Sequence, residues 1–156
     1  MKTIILYATK YGATAEIAMR LAEKIGDAVV QDLKLPIPEL TEYDCIIIGS
    51  SVYTGMFHKE AKTFLLSNTE KLKNKKIGLY ASGMSKSEAD KVFADNIPTE
   101  LLQSANTAML LGGIFDPKKA NFIERLIMKV VTKQSGYIEA LDNEKITTFS
   151  EVMKSL

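Results

Sequence analysis

Small polar residues and one glycine follow the first apolar run of the sequence, in the order Thr9-Lys10-Tyr11-Gly12-Ala13-Thr14. A helical pattern begins directly after them. The segment therefore offers free backbone N–H groups at a helix N-terminus, beside the hydroxyls of Thr9 and Thr14. Donors in this arrangement suit a phosphate group. An ordinary turn from strand to helix, with Thr14 as the helix cap, explains the same residues equally well.

Two later segments also combine small polar residues with flat or apolar side chains. One is Ser50-Ser51-Val52-Tyr53-Thr54-Gly55, in which Tyr53 can stack on a planar ring, and the other is Ser82-Gly83-Met84-Ser85. The alternative for Tyr53 and for the nearby Phe57 is a core position over the sheet edge. Each segment follows an apolar run, and ligands of open α/β sheets bind beyond the carboxyl ends of the strands. We therefore expect all three segments to meet at one site.

Five short apolar runs rich in β-branched residues predict the strands that carry these segments. Apolarity without alternation indicates parallel strands with both faces covered. With helical patterns between most of them, the runs predict an α/β fold with a three-layer, doubly wound parallel sheet. The runs are Thr3 to Ala8, Ala28 to Leu33, Cys45 to Gly49, Ile77 to Ala81 and Ala108 to Ile114.

Apolar residues at helical spacing predict the covering helices. One stripe begins at Ile17 and stops before Gly26, and further helical spacing begins at Ala61 and, more weakly, at Ala89. Near the end of the chain we expect Thr148 to cap the last helix, with Glu151 three residues further on.

The segment Asn121 to Lys133 predicts an amphipathic helix with Arg125, Lys129 and Lys133 in one basic row beside an apolar face. We expect the apolar face to pack on the core, with the basic side in solvent. The alternative is peripheral contact with an anionic membrane surface, which would suit access to a quinone.

Composition limits the classes of partner. Lys plus Arg number 20 against 19 Asp plus Glu, so no strong field predicts a nucleic-acid partner. The single cysteine, Cys45, lies in an apolar run and is interpreted as a buried small hydrophobe, which suits a reducing cytoplasm. No signal-type segment or membrane-length apolar run is visible, so we expect neither export nor a membrane span.

Over nearly its whole length the chain resembles the flavodoxins. Thr9, Gly12 and Thr14 keep the Thr/Ser-x-x-Gly-x-Thr pattern of that family's FMN-phosphate loop. Within the family, the chain is most similar to the bacterial menaquinone-dependent protoporphyrinogen dehydrogenases. That similarity is carried by Ile48-Gly49-Ser50-Ser51, by Gly55 and His58, by Phe122-Ile123-Glu124-Arg125-Leu126-Ile127-Met128-Lys129 and by Ser135-Gly136.

The match to that subgroup departs in two loops. Tyr53-Thr54 stands where the subgroup tends to carry a basic residue and a tyrosine, and the loop with Ser82-Gly83-Met84 lacks a longer basic stretch. By the same resemblance, these are the loops that would contact a porphyrin or a quinone.

The resemblance implies one flavodoxin-like domain over residues 1–156, a five-stranded sheet of order 2-1-3-4-5, and non-covalent FMN used for electron transfer. The phosphate would lie on the first loop and the ring between the other two. No catalytic residue is assigned and no metal site is expected. The residues expected to bind FMN are Thr9, Lys10, Tyr11, Gly12, Ala13, Thr14, Ser50, Ser51, Val52, Tyr53, Thr54, Gly55, Ser82, Gly83, Met84 and Ser85.

Three interpretations of the function stay open. The chain is a cytoplasmic FMN electron carrier for a redox partner protein, a menaquinone-linked enzyme with a porphyrinogen substrate, or a flavodoxin fold without cofactor that acts as a binding module. The enzyme interpretation allows peripheral contact with the inner face of the membrane. His58, the only histidine, either transfers protons beside the ring or begins a helix from Lys59 to Leu66 as a solvent-facing residue.

Other classes lack their motifs. Phospho-receiver domains place acidic residues after strand one and an aspartate after strand three, where this sequence has Thr9-Lys10 and Ser50-Ser51. The nucleotide-hydrolase phosphate loop, the hydrolase nucleophile elbow and the dinucleotide glycine fingerprint are all absent from the sequence.

Overall fold

A computed structural model of the protein describes residues 1–84, 88–132 and 136–156. Ser85, one of the residues expected to bind FMN, lies outside the described residues, and so do Lys133 and Ser135.

Five parallel strands form the main sheet in the order β2-β1-β3-β5-β6, and the two-residue strand β4 pairs antiparallel with β3. Counting only the parallel strands, this is the order 2-1-3-4-5, so the expected fold class is confirmed. The strands are β1 (Thr3–Ala8), β2 (Ala28–Asp32), β3 (Cys45–Tyr53), β4 (Met56–Phe57), β5 (Lys76–Ser82) and β6 (Thr107–Leu110).

Helices cover both faces of this sheet because successive strand residues point to opposite sides. Ile46 and Ile48 face the layer of α2, α3 and α4, whereas Ile47 faces α1 and α6. The helices are α1 (Ala13–Ile25), α2 (Lys59–Leu72), α3 (Ala89–Asn96), α4 (Thr99–Ser104), α5 (Phe122–Thr132) and α6 (Asn143–Lys154), with one 3₁₀ turn at Leu40–Glu42. No helix within the described ranges has both the length and the apolarity needed to cross a membrane.

The last predicted strand, Ala108 to Ile114, is divided in the structure. Strand β6 ends at Leu110, and β7 (Gly112–Phe115) leaves the main sheet to pair antiparallel with β8 (Ile138–Leu141), which the sequence did not predict. Gly112 has a φ of 84°, and a Cβ there would lie 2.1 Å from the Ala140 carbonyl oxygen. The chain leaves the sheet beside this residue, whose conformation and close approach both favour glycine.

The predicted cap of the last helix is wrong. Helix α6 begins at Asn143, and the Asp142 carboxylate accepts a hydrogen bond from the Lys145 amide at 3.0 Å. Thr148 lies inside the helix, where its hydroxyl donates to the Glu144 carbonyl. An acidic side chain at the earlier position satisfies the free amides of the first turn.

The core position expected for the apolar face of α5 is also wrong. Phe122 is 75% exposed and Val130 is 73% exposed. Both faces of the sheet are already covered by other helices, and α5 lies instead beside the carboxyl ends of the strands, where Glu124, Ile127 and Met128 line a cleft. Its apolar face therefore has no sheet to cover.

Tyr80 connects β5 to the start of α1 through a buried contact with Gly49 and Thr14, which we call the Tyr80 joint. The Tyr80 ring is fully buried against Gly49, and its hydroxyl donates to the Thr14 carbonyl at 2.9 Å. Burial raises the pKa of Tyr80 well above its usual range, so the phenol stays neutral and keeps its donor proton. The joint therefore fixes the first turn of α1 against the sheet.

Replacing Gly49 with alanine tests this joint. A Cβ at Gly49 would lie 1.9 Å from Cζ of Tyr80, so we expect Gly49→Ala to lower the free energy of unfolding by about 1–3 kcal/mol or more. Urea unfolding measures the change. Gly136→Ala is the control, because a Cβ there meets no atom within 4 Å. Equal stability of the two variants would contradict the joint.

Candidate functional site

A cleft of about 400 Å³ opens at the carboxyl ends of β1, β3 and β5. Residues of all three predicted loops line it, together with part of α5. The structure therefore brings the three segments together, as their positions after parallel strands predict. The predicted residues on its wall are Thr9, Lys10, Tyr11, Ala13, Ser51, Val52, Tyr53, Thr54, Gly55, Ser82, Gly83 and Met84.

Three predicted residues lie outside the wall of this cleft. Gly12 borders a neighbouring cavity of about 320 Å³ on the outer side of the first loop. Thr14 and Ser50 are fully buried. The Thr14 hydroxyl lies 2.6 Å from the Ser82 hydroxyl, and the Ser50 hydroxyl accepts from the His58 amide at 2.9 Å. The Thr14 hydroxyl therefore joins the first loop to the third, and the Ser50 hydroxyl holds the start of α2 to β3.

The first loop is held by an internal hydrogen bond and by the backbone conformation of Gly12. The Gly12 amide donates to the Thr9 hydroxyl at 2.9 Å, and its φ of 100° favours glycine. Gly12, rather than Thr14, is the residue that precedes α1, and its carbonyl accepts from the Glu16 amide at 3.0 Å. The positive end of the α1 dipole therefore lies at this loop, which favours an anion.

Sequence reasoning missed a cation beside this loop. Lys119 Nζ lies 3.4 Å from the Tyr11 carbonyl oxygen and 3.8 Å from the place that a Cβ on Gly12 would take. Asp116 sets the turn that brings it there, because its side chain accepts from the Lys118 amide and its carbonyl accepts from the Lys119 amide. The Asp-Pro sequence before Lys118 was the available signal for this turn.

The second loop is a hairpin held by Asn96, which sequence reasoning also missed. Thr54 and Gly55 have φ values of 48° and 76°, as a two-residue turn between antiparallel strands requires. Asn96 is buried at the end of α3. Its amide donates to the Gly55 carbonyl at 2.8 Å, and its carbonyl accepts from the Phe57 amide at 2.9 Å. The hairpin tip is therefore clamped to the protein.

Lys10 connects the first loop to the second loop and to α5. Its ammonium lies 3.9 Å from the ring centre of Tyr53 and pairs with the buried carboxylate of Glu124. Glu124 also caps α5 reciprocally with Asn121: the Asn121 side chain accepts from the Glu124 amide at 2.8 Å, and Glu124 accepts from the Asn121 amide at 3.2 Å. The spacing Asn-x-x-Glu was the signal for this cap.

His58 and Cys45 lie outside the cleft wall. His58 directly precedes α2, and its Nδ1 pairs with the Glu60 carboxylate. The structure therefore has the expected helix start after His58, but the side chain is only 20% exposed and not solvent-facing, and the helix continues to Leu72 instead of ending at Leu66. Cys45 is fully buried, and burial raises the pKa of its thiol. Among the described residues, no group of three or more His, Cys, Asp or Glu could hold a metal.

The chemistry of the cleft fits a flat ligand that carries an anion. Val52, Leu110 and Ile127 give it apolar walls, and Thr9, Ser51 and Ser82 add hydroxyl groups. The Tyr11 hydroxyl is buried and has no hydrogen-bond partner in the described part of the chain, so a bound polar group can satisfy it. The first loop is the candidate anion end: Tyr11 borders both this cleft and the neighbouring cavity, which Gly12 and Lys119 line.

Comparison with known proteins identifies the family. The model of the flavodoxin domain family matches residues 4–141 of the chain. The chain belongs to the flavodoxin domain family. Its cofactor is FMN and its chemistry is electron transfer, which confirms what the sequence resemblance implied.

The chain is also similar to individual known proteins, and the two solved structures among them share its fold. The protoporphyrinogen IX dehydrogenase (quinone) of Escherichia coli K12 is 25% identical over 148 residues, covering 87% of this chain and 81% of its own. Oxidised flavodoxin 2 from Bacillus cereus superposes with a TM-score of 0.64 at 22% identity and covers 99% of both chains. A flavoprotein from Lactobacillus acidophilus in complex with FMN has a TM-score of 0.50 at 19% identity, over 72% of this chain and 92% of its own.

The hairpin clamp gives a testable prediction. Asn96→Ala leaves the Phe57 amide and the Gly55 carbonyl without their partner, so we expect a loss of about 1–3 kcal/mol in the free energy of unfolding and faster hydrogen exchange at Phe57. Asn68→Ala is the matched control, because Asn68 donates only to the Phe64 carbonyl of its own helix. Unchanged exchange at Phe57 in the Asn96 variant would refute the clamp.

Proposed function

We propose that this flavodoxin-domain protein is an FMN-dependent dehydrogenase that oxidises a porphyrinogen-type substrate and passes the electrons to a quinone. The observation that carries the proposal is the exposed apolar helix at the rim of the cleft, since Ile127 of α5 lines the cleft while its neighbours face solvent. An apolar rim suits a quinone held in lipid. The relative from Escherichia coli, named for both porphyrinogen and quinone, supports the same choice.

Each loop has a task in this proposal. The amides of the first loop bind the phosphate, with Lys119 as its counter-charge. Tyr53 and the segment of Gly83 and Met84 hold the ring between them, and Asn96 keeps the hairpin in place. When bound, FMN supplies the centre that accepts a hydride or two electrons and releases them. The protein positions that centre.

Lys10 is the proposed contact for an acidic substrate. Its ammonium lies between Tyr53 and Glu124 at the cleft wall, and the Lys10 side chain is 34% exposed, so it can contact a substrate carboxylate while it keeps its pair with Glu124. Porphyrinogens carry such carboxylates. The basic stretch that the related enzymes carry in the loop after β5 is absent here, and Lys10 offers a cation from the first loop instead.

We propose a cytoplasmic location with peripheral contact at the inner face of the membrane, because a quinone acceptor resides in the bilayer. An electron carrier is the second candidate function. It is favoured by the match of the flavodoxin domain family to residues 4–141. A carrier would take electrons from a reductase and deliver them to a protein, and it would need no apolar rim.

The contribution of Lys119 to phosphate binding can be measured directly. Because Lys119 is exposed, we expect Lys119→Met to weaken FMN binding by about two- to fivefold, the range of an exposed ion pair. Binding of riboflavin, which lacks the phosphate, should not change. Flavin fluorescence quenching gives both dissociation constants. Lys118→Met is the control, and equal losses for FMN and riboflavin would contradict a role at the phosphate.

The enzyme and carrier interpretations differ in whether the protein oxidises a porphyrinogen catalytically. Under anaerobic conditions, we expect the FMN-loaded protein to convert protoporphyrinogen IX to the fluorescent porphyrin over many turnovers, and only when a menaquinone analogue is present. The protein stripped of FMN is the control. Reduction by a flavodoxin reductase, without any porphyrinogen oxidation, would overturn the enzyme proposal and leave the carrier.

A further inference from the structure

Helix α5 presents an apolar face that no other described element covers. Five apolar side chains of one short helix are partly or mostly in solvent, although large exposed apolar patches on soluble domains usually mark interaction sites. We name these residues the α5 face. They are Phe122 at 75% exposure, Ile123 at 65%, Leu126 at 53%, Ile127 at 36% and Val130 at 73%.

Helix geometry shows which side chains border the α5 face. At about 100° per residue, the five side chains form one continuous arc. Arg125 and Lys129 follow on one border of the arc, and both are exposed. Ile127 forms the other border and lines the cleft. Glu124, the one acidic residue of the helix, is buried and points away from the arc. From Phe122 to Val130, the exposed side therefore carries basic but no acidic side chains.

This pattern of apolar and basic residues favours one kind of binding partner for the α5 face. A helix with apolar residues on one side and basic residues at its border is the pattern that lies in the interface of a bilayer with anionic lipids. A second copy of the chain would bring another α5 face, which has no acid to pair with Arg125 and Lys129. Both charges would then meet like charges or lose their hydration.

We propose that the α5 face docks on a bilayer that contains anionic lipids. The apolar arc enters the boundary between headgroups and acyl chains, and Arg125 and Lys129 contact lipid phosphates. Since Ile127 belongs to both the arc and the cleft wall, docking places the mouth of the cleft at the membrane surface. A lipid-soluble acceptor then reaches the site without crossing water. That last consequence rests on the proposed function, whereas the docking itself does not.

Sedimentation with vesicles tests the docking on the full, FMN-loaded chain. We expect binding to vesicles of phosphatidylcholine with about a third phosphatidylglycerol, and much weaker binding to phosphatidylcholine alone. The Phe122→Ser, Val130→Ser double variant should lose most of the binding to either vesicle. Both residues are nearly three-quarters exposed, so its stability should not fall. Leu66→Ser, at a residue 66% exposed on α2, is the control and should bind as the unmodified chain does.

The charges are tested separately. Arg125→Gln and Lys129→Gln should each cost about fivefold in affinity for the anionic vesicles and leave binding to neutral vesicles unchanged. Absence of sedimentation with every vesicle, or equal losses in the Leu66 control, overturns the proposal. A dimer in sedimentation equilibrium that the double variant abolishes would assign the α5 face to a second copy instead. Vesicle binding without porphyrinogen oxidation would overturn the proposed function alone.

Discussion

The contact between Gly49, Tyr80 and Thr14 is the constraint on which the site depends. The Tyr80 ring occupies the space that a side chain at residue 49 would need, and its hydroxyl binds the backbone of the first turn of α1. One buried residue of β5 therefore sets the distance between β3 and the first loop. The Thr14 and Ser82 hydroxyls meet 2.6 Å apart just beyond it and join the first and third loops. The parallel strands bring the three loops to one edge of the sheet, and the contact of Tyr80 with Gly49 and Thr14 fixes the distance between the loops.

Two further side chains, Asn96 and Lys10, hold the walls of the cleft in place. Asn96 fixes the hairpin from the side of α3, and Lys10 spans from the first loop to Tyr53 and Glu124. Both interactions involve partly or fully buried polar groups, which are costly to leave unpaired. The cleft is consequently shaped by the protein itself. Helix α5 is attached through its Glu124 side, which leaves its apolar side to face outward at the mouth.

The sequence predicted the sheet and the three loops because both follow from local patterns. Apolar runs such as Cys45 to Gly49 mark strands with two covered faces, and parallel strands bring their carboxyl ends to one edge. Interactions distant in sequence were not predictable in this way. Lys119 and Gly12 are 107 residues apart in the sequence. They come close because the chain turns out of the sheet at Gly112. The exposed face of α5 was misjudged because periodicity reports amphipathicity and not which neighbour, if any, covers the helix.

The most direct test of the account is a titration of the isotope-labelled protein with FMN, followed by amide chemical shifts. The account predicts that the largest shifts fall on Lys10 to Thr14, Ser51 to Gly55 and on Gly83 and Met84, which lie at the carboxyl edge of the sheet. Gly26 and Asn74, at the opposite edge, should stay unchanged. Absence of binding, or shifts centred away from these three loops, would contradict the central claim that they form one FMN site.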